Sequence, residues 1–362
     1  MSNEGQVNVF YLFDVSESLD LTRATALLDV PSERARLRPK PAIPAYVKYQ
    51  IPPLQVEGEA LAAGGLEDFR VRFKLFDYGV ISLSLTRPLA ASWDDLPGLA
   101  HRLSTGSELE AGAERLCRRL LDRIQLALDR PRDRFLSEDY VVFVVTAMPG
   151  GATADALLTE HGAVIAQALR AELQPLSGQE REEVLRHRLS YHANDLVIPT
   201  WNAALIYDME PGALGALEIL EYANSQLLQF RYYDELLDSR VAKIYDELES
   251  TKHYRSWWPR RYTRAAREVH ALFIDVNELT DRTENALKLV GDVYAARLLA
   301  LAHTRLGVDA WRTSVHDKLK TLDAIYRFAV DQTGMERGEL LEIAIVVILV
   351  FELVLFFLGI MR

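Results

Sequence analysis

The first half of the chain alternates strand-like and helix-like patterns of apolar residues. Val9–Val15 is β-branched and aromatic and predicts a buried strand. Polar and apolar residues alternate from Arg70 to Arg87 around a short turn, which predicts a β-hairpin. Tyr140–Thr146 is apolar on both faces and predicts a central strand. Helical periodicity appears at 93–103, 108–130, 154–172 and 178–189, and short strands are predicted at 196–198 and 203–207. Together these elements predict an α+β domain over 1–210.

The second half is helical beyond Pro211-Gly212, where the strand pattern stops. Long helices are predicted at 214–249 and 262–306, and a third from Asp309 to about Asp331. The second helix repeats Val269, Val276, Thr283, Val290 and Arg297 every seven residues, interleaved with Leu272, Leu279, Ala286, Val293 and Ala300. This spacing predicts an antiparallel, coiled-coil-like hairpin with a third helix over 211–335.

Polar residues interrupt the apolar seam of the first long helix. They are Asn224, Arg231, Asp234 and Asp238, and the hairpin would place them opposite Arg297. A buried Arg needs carboxylate partners, so we favour an ion-pair network that fixes the helix register. A pocket for a small ligand or metal built from the acids is the alternative, and it would make the protein an enzyme.

An apolar run near the end predicts a transmembrane helix at 339–361. Its length matches a hydrocarbon core of about 30 Å. The polar start of the chain has no signal-peptide pattern. We therefore expect a C-terminal tail anchor in the inner (cytoplasmic) membrane with the body in the cytoplasm. A helix buried inside a soluble oligomer is the alternative.

Glu352 lies deep in this apolar run. It is expected to face another copy of the helix, which predicts a homo-oligomer. A lone protonated carboxyl in lipid is the alternative interpretation of Glu352.

Charge separates one segment from the rest of the chain. The net charge of −11 argues against a protein that coats nucleic acid, and no DNA partner is expected. The segment 252–267, between the two long helices, holds no acid. It suits membrane lipids or RNA, for example ribosomal RNA, and packing of its Trp pair within the hairpin is the third interpretation. The candidate contact residues are Lys252, Arg255, Trp257, Trp258, Arg260, Arg261, Arg264 and Arg267.

Sequence signatures of catalysis are missing. Gly150-Gly151 lacks the lysine of a phosphate-binding loop, and the chain has no G-x-S-x-G or H-E-x-x-H motif. The single cysteine, Cys117, excludes an intrachain disulfide and a cysteine-cluster metal site. The chain is therefore predicted to be a non-enzymatic protein with no metal and no cofactor.

Two segments carry a family resemblance: ANSQLLQFRYYDELLD at 223–238 and ELTDRTENALKLVGDVYAARL at 278–298. YLFDV near the start and LSYHANDLVIPTWNAALIYD at 189–208 fit the same pattern. Together these segments resemble the "required for meiotic nuclear division 1-like" family, which is also called domain of unknown function 155. The resemblance implies a bacterial member that is membrane-tethered and homo-oligomeric. Its residues that match the motifs, beyond the polar cluster, are Tyr232, Tyr233, Glu284, Asn285, Lys288 and Asp292.

The same resemblance sets the expected function. Mitochondrial members of the family support translation by mitochondrial ribosomes and have no known catalysis. We therefore expect a membrane-anchored, homo-oligomeric, non-enzymatic scaffold with a protein partner. The alternative is a ribosome- or RNA-tethering factor that works through the segment 252–267.

Overall fold

The protein is described by a computed structural model. It describes residues 5–29, 51–63, 66–89, 92–146, 152–250, 271–281, 293–325, 327 and 345–348. Two compact units divide the chain. The first joins Met1–Tyr232 to Asp281–Trp311, and the second joins Tyr233–Thr280 to Arg312–Arg362.

Eight strands form one mixed sheet in the first unit, in the order β2-β4-β5-β1-β6-β8-β7, with β3 paired to β4. Among the strands that the structure describes, β6 and β8 alone pair in parallel, and the other pairs are antiparallel. The strands are β1 (Gly5–Leu19), β2 (Leu54–Glu57), β3 (Leu61–Ala63), β4 (Leu66–Leu75), β5 (Val80–Pro88), β6 (Leu128–Thr146), β7 (Leu196–Pro199) and β8 (Ala203–Asp208).

The helices are α1 (Leu21–Leu28), α2 (Leu96–Thr105), α3 (Ser107–Ile124), α4 (Ala154–Leu169), α5 (Gly178–Arg186), α6 (Glu210–Ser250), α7 (271–281), α8 (Val293–Leu306) and α9 (308–325). Asp20, Thr153 and Ser177 begin α1, α4 and α5. Each side chain accepts a hydrogen bond from the backbone N–H three residues later, which satisfies one free donor of the first turn.

The predicted hairpin is the β4–β5 pair, and its turn requires a glycine. Gly79 has a φ of 77°, a conformation that favours glycine, and a Cβ there would lie 1.9 Å from the backbone oxygen of Ser16. The Gly79 carbonyl accepts the backbone N–H of Val15 at 3.0 Å. The turn therefore closes against β1, which places β1 beside β5 at the centre of the sheet.

The predicted helix at 108–130 is too long. α3 ends at Ile124, and β6 begins at Leu128 and pairs with the end of β1. Pairing with a strand more than a hundred residues away overrides the local helical pattern, because local propensity is a weak guide where long-range pairing is available.

Alternation along the strands gives the sheet two different faces. On the first face, side chains such as Val9, Leu83 and Phe143 form a continuous apolar core with α1 to α5. The second face is more polar: β5 contributes Ser82, Ser84 and Thr86, and β1 contributes Phe10, Leu12 and Asp14. Helix α6 packs over this face through hydrogen bonds to β4 and β6. The second face holds the candidate site.

The transmembrane part of the predicted fold is wrong, and the predictions of a tail anchor and of localisation at the inner membrane are corrected with it. Among the residues that the structure describes, no helix has the length and apolar character needed to cross a bilayer. Of the predicted span 339–361, the described part is a short helical stretch at 345–348, about 6 Å long. The rest of the span, including Glu352, lies outside the described residues.

The α+β class of the predicted fold agrees with the structure.

Candidate functional site

A row of four residues runs straight across the second face of the sheet. We call it the cross-sheet row; its members are direct neighbours on β4, β5, β1 and β6, namely Lys74, Ser82, Leu12 and Glu138. Helix α6 follows this row, because Glu221 bonds to its first member and Arg231 to its last. Ten helical residues advance about 15 Å. Three strand spacings cover about 14 Å, so the helix crosses the strands nearly at right angles.

A buried ion pair closes the first end of the row. The ammonium of Lys74 donates to Oε2 of Glu221, and the two side chains are 7% and 6% exposed. Glu218 lies one turn earlier on α6. Burial raises the pKa of its carboxyl, Lys74 lowers it and Glu221 raises it further. This end therefore carries more carboxyl groups than the single cation can neutralise.

A second ion pair closes the other end. Arg231 Nη1 donates to Glu138 Oε2, and the side chains are 30% and 17% exposed. The Arg231 guanidinium also lies 6.0 Å from the centre of the Trp311 ring, within the range of a cation–π contact. The pair ties α6 to β6.

Beside this end, β6 leaves its regular pairing with β1. Asp14 pairs with Leu136 and Ser16 with Pro131, so residues 132–135 lie opposite Val15 alone. Such a bulge redirects side chains, and bulges often lie near functional sites. Here the bulge turns Arg132 toward the second face of the sheet.

Arg132 binds a carboxylate and an aromatic ring at once. Its Nε donates to Asp14 Oδ1 at 3.2 Å, and its guanidinium lies 3.8 Å from the centre of the Tyr232 ring. Burial raises the pKa of Asp14 to about 6, although the charge and hydrogen bond of Arg132 lower it. Asp14 is therefore a buried acid that titrates near neutral pH.

Between the two ends, α6 is enclosed on every side. All residues from Glu221 to Phe230 are buried, and several are polar. Ser225 Oγ lies 2.8 Å from the Tyr78 hydroxyl, and Gln229 Nε2 donates to the Tyr78 carbonyl at 3.1 Å. On the side facing α8, Gln226 Oε1 lies 2.7 Å from His303 Nε2. The middle of the helix is thus held by polar contacts as well as by apolar packing.

In the second unit, the two predicted acids share one lysine. Lys318 Nζ lies 2.8 Å from Asp234 Oδ1 and 2.7 Å from Asp238 Oδ1, and Ser314 Oγ donates to Asp234 at 2.7 Å. Burial alone would lower the pKa of Lys318, but the bonds to both aspartates raise it overall. These contacts hold α9 against the second half of α6.

The structure separates the other members of the predicted polar cluster. Arg231 pairs with Glu138, whereas Arg297 is exposed on α8. Asn224 is fully buried in the middle of α6, and its Nδ2 donates to the Leu220 carbonyl at 2.8 Å. Tyr233 is half-buried. The predicted residues Glu284, Asn285, Lys288, Asp292 and 252–267 lie outside the described residues.

Sequence reasoning missed the partners on the strands: Lys74, Asp14, Arg132 and Glu138. A signal was present at Asp14, because it interrupts an apolar strand and a charged residue in such a place needs a partner. Lys74 gave no such signal, since it follows the alternating polar positions of its hairpin. Within the described ranges, His, Cys, Asp and Glu side chains form no group of three or more that is placed to hold a metal ion.

Replacing Lys318 with Met should destabilise the second unit by about 1–3 kcal/mol, because Asp234 is 10% exposed and would lose a charged donor. Chemical denaturation monitored by helix signal measures the loss. Asp238→Asn is the matched control: its side chain is 62% exposed, so a change below about 1 kcal/mol is expected. Equal losses for the two variants would contradict a dominant role for Asp234.

The fold and the site define a class: an α+β protein whose mixed sheet is covered by helices on one face and by a long, partly polar helix on the other. Residues 4–213 match the model of the family described as "Uncharacterized protein MJ0711, N-terminal domain". The chain belongs to this family.

One curated relative is also similar to the chain. Over 227 residues the chain is 23% identical to "Uncharacterized protein MJ0711" of Methanocaldococcus jannaschii, a match that covers 62% of this chain and 66% of the relative. No solved structure matches the chain. Neither match links the chain to the family required for meiotic nuclear division, and that resemblance stays a prediction.

Proposed function

We propose that the protein is a homo-oligomeric, non-enzymatic scaffold that recruits a partner protein. The support comes from where its charged and apolar side chains lie. The cations of the candidate site on the sheet, Lys74, Arg132 and Arg231, each bind a carboxylate of the same chain. Lys318 does the same within the second unit. They tie helices to strands or to each other, which is a structural task.

The observation that carries the assembly proposal is an apolar face on α7. Val276 and Leu279, on the predicted heptad seam, are buried, whereas Phe273 and Ile274 are 41% and 54% exposed. Phe273 and Ile274 therefore form an exposed apolar pair beside the covered seam. Adjacent exposed apolar side chains of this size are typical of contact surfaces. A second copy of the chain is the proposed occupant.

The double variant Phe273→Asp/Ile274→Asp should dissociate the assembly, because two charges would have to be buried in the contact. Light scattering on the purified full-length chain measures the mass. We expect a multiple of 41.0 kDa for the unmodified chain and a smaller mass for the variant. Leu126→Asp is the control; this side chain is 64% exposed in the first unit, and the mass should not change. A monomeric unmodified chain would refute the proposal.

The alternative function, tethering to RNA or a ribosome, rests on the sequence of residues 252–267. This segment has six Lys or Arg and no acid in a chain of net charge −11. Filter binding of RNA at increasing salt tests it. Affinity that falls steeply with salt and is lost on replacing Arg260, Arg261 and Arg264 with Glu would favour tethering over the scaffold.

A further inference from the structure

Ser82, in the middle of the cross-sheet row, and Asn224, on α6, are fully buried polar side chains that each lack a partner for one polar atom. The hydroxyl of Ser82 and the side-chain oxygen of Asn224 make no hydrogen bond within the described part of the chain, and both residues are 0% exposed. An unsatisfied buried polar group costs about 1–3 kcal/mol. Two such groups in one place indicate a bound molecule that satisfies both.

The geometry of α6 over the sheet places these two atoms in the same region. Glu221 bonds to Lys74, and Ser82 is the direct neighbour of Lys74 on β5. Asn224 follows Glu221 by three residues, which advances the helix by about 4.5 Å. The step from β4 to β5 is about 4.8 Å. Asn224 therefore lies above Ser82 as Glu221 lies above Lys74.

The chemistry of the groups selects the molecule. The free oxygen of Asn224 accepts hydrogen bonds and cannot donate, whereas the Ser82 hydroxyl can do both. The ammonium of Lys74 carries three N–H donors, of which Glu221 Oε2 takes one. A water molecule donates two hydrogen bonds and accepts two. It fits a site with one pure acceptor, one hydroxyl and one ammonium donor.

We propose that one ordered water molecule is bound between β5 and α6, donating to Asn224 and bonded to Ser82 and Lys74. It completes the hydrogen bonding of the cross-sheet row and links its buried ion pair to the middle of the helix. Since α6 is buried on all sides from Glu221 to Phe230, this water is cut off from bulk solvent and exchanges slowly.

Oxygen-17 relaxation dispersion of water in a solution of the full-length chain tests the proposal, because it counts water molecules with long residence times. The double variant Ser82→Ala/Asn224→Leu should hold about one long-lived water fewer than the unmodified chain. Ser84→Ala is the matched control, because Ser84 lies on the same strand and face but contacts Thr86 at 3.4 Å. It should keep the full number.

A crystal structure of the unmodified chain checks the site without relying on the folding of a variant. Electron density for a water within hydrogen-bond distance of Ser82 Oγ and Asn224 Oδ1 would support the proposal. A direct bond between the two side chains would overturn it, as would an equal number of long-lived waters in the double variant. Stability that depends on potassium or ammonium in the buffer would also overturn it, since the site would then hold a cation.

Discussion

Lys74→Met should lower the free energy of unfolding by about 3–5 kcal/mol, because it leaves the carboxylate of Glu221 buried without its cation. Denaturant unfolding at neutral pH measures the loss. The double variant Lys74→Met/Glu221→Leu should recover most of it, since a well-packed apolar pair removes both desolvation costs. The recovery distinguishes an unpaired charge from a general packing defect.

A neighbouring ion pair provides the control for this experiment. Arg72 lies two residues before Lys74 on the same strand and pairs with Glu57 at 3.1 Å, but these side chains are 48% and 65% exposed. Arg72→Met should therefore change the stability by less than about 1 kcal/mol. If Arg72→Met and Lys74→Met cost the same, burial would not be the reason for the effect.

Asp14→Asn should change how the stability depends on pH. Burial raises the pKa of Asp14 from 3.8 to about 6, so the folded chain binds a proton more tightly than the unfolded chain does. The stability from this group is fully present below pH 3.8 and is lost as the pH rises through about 6. The rise in the pKa of Asp14 from 3.8 to about 6 corresponds to roughly 3 kcal/mol of stability at low pH, because one pKa unit is worth about 1.36 kcal/mol.

The measurement is unfolding at several pH values between 4 and 7 for both chains. The stability of Asp14→Asn relative to the unmodified chain should rise with pH over this window, because Asn never ionises. Asp133→Asn is the control, because it makes the same substitution at an exposed position of the same bulge. A relative stability that is flat from pH 4 to 7 would show that Asp14 does not titrate there.

Much of the sheet could be predicted because its strands carry local signals. The Val9–Val15 run, the hairpin around Gly79 and the Tyr140–Thr146 run are strands β1, β4–β5 and β6 in the structure. The start of β6 could not be predicted, since Leu128–Leu136 is charged and contains Pro131. That part pairs only with the far end of β1, and no local pattern encodes such a pairing.

The site was harder to predict because its partners are far apart in sequence. A polar interruption in an apolar seam identified Arg231, Asp234 and Asp238 as residues in need of partners. The heptad spacing pointed to Arg297, whereas the structure supplies Lys318 for the acids and Glu138 for the arginine. Seam spacing describes which face a residue occupies, but it does not identify which of several distant elements covers that face.

The enclosed middle of α6 has a consequence for dividing this protein into fragments. The family model ends at residue 213, just inside α6, and so stops short of Glu221–Phe230. A polypeptide cut there would keep strands β1 to β8 yet expose Phe10 and Leu12, which are 2% and 0% exposed in the whole chain. Uncovered apolar side chains on a sheet promote aggregation. Recombinant versions of this domain should therefore extend at least through Tyr232, and they need α8 as well, because it shields the opposite side of the same helix.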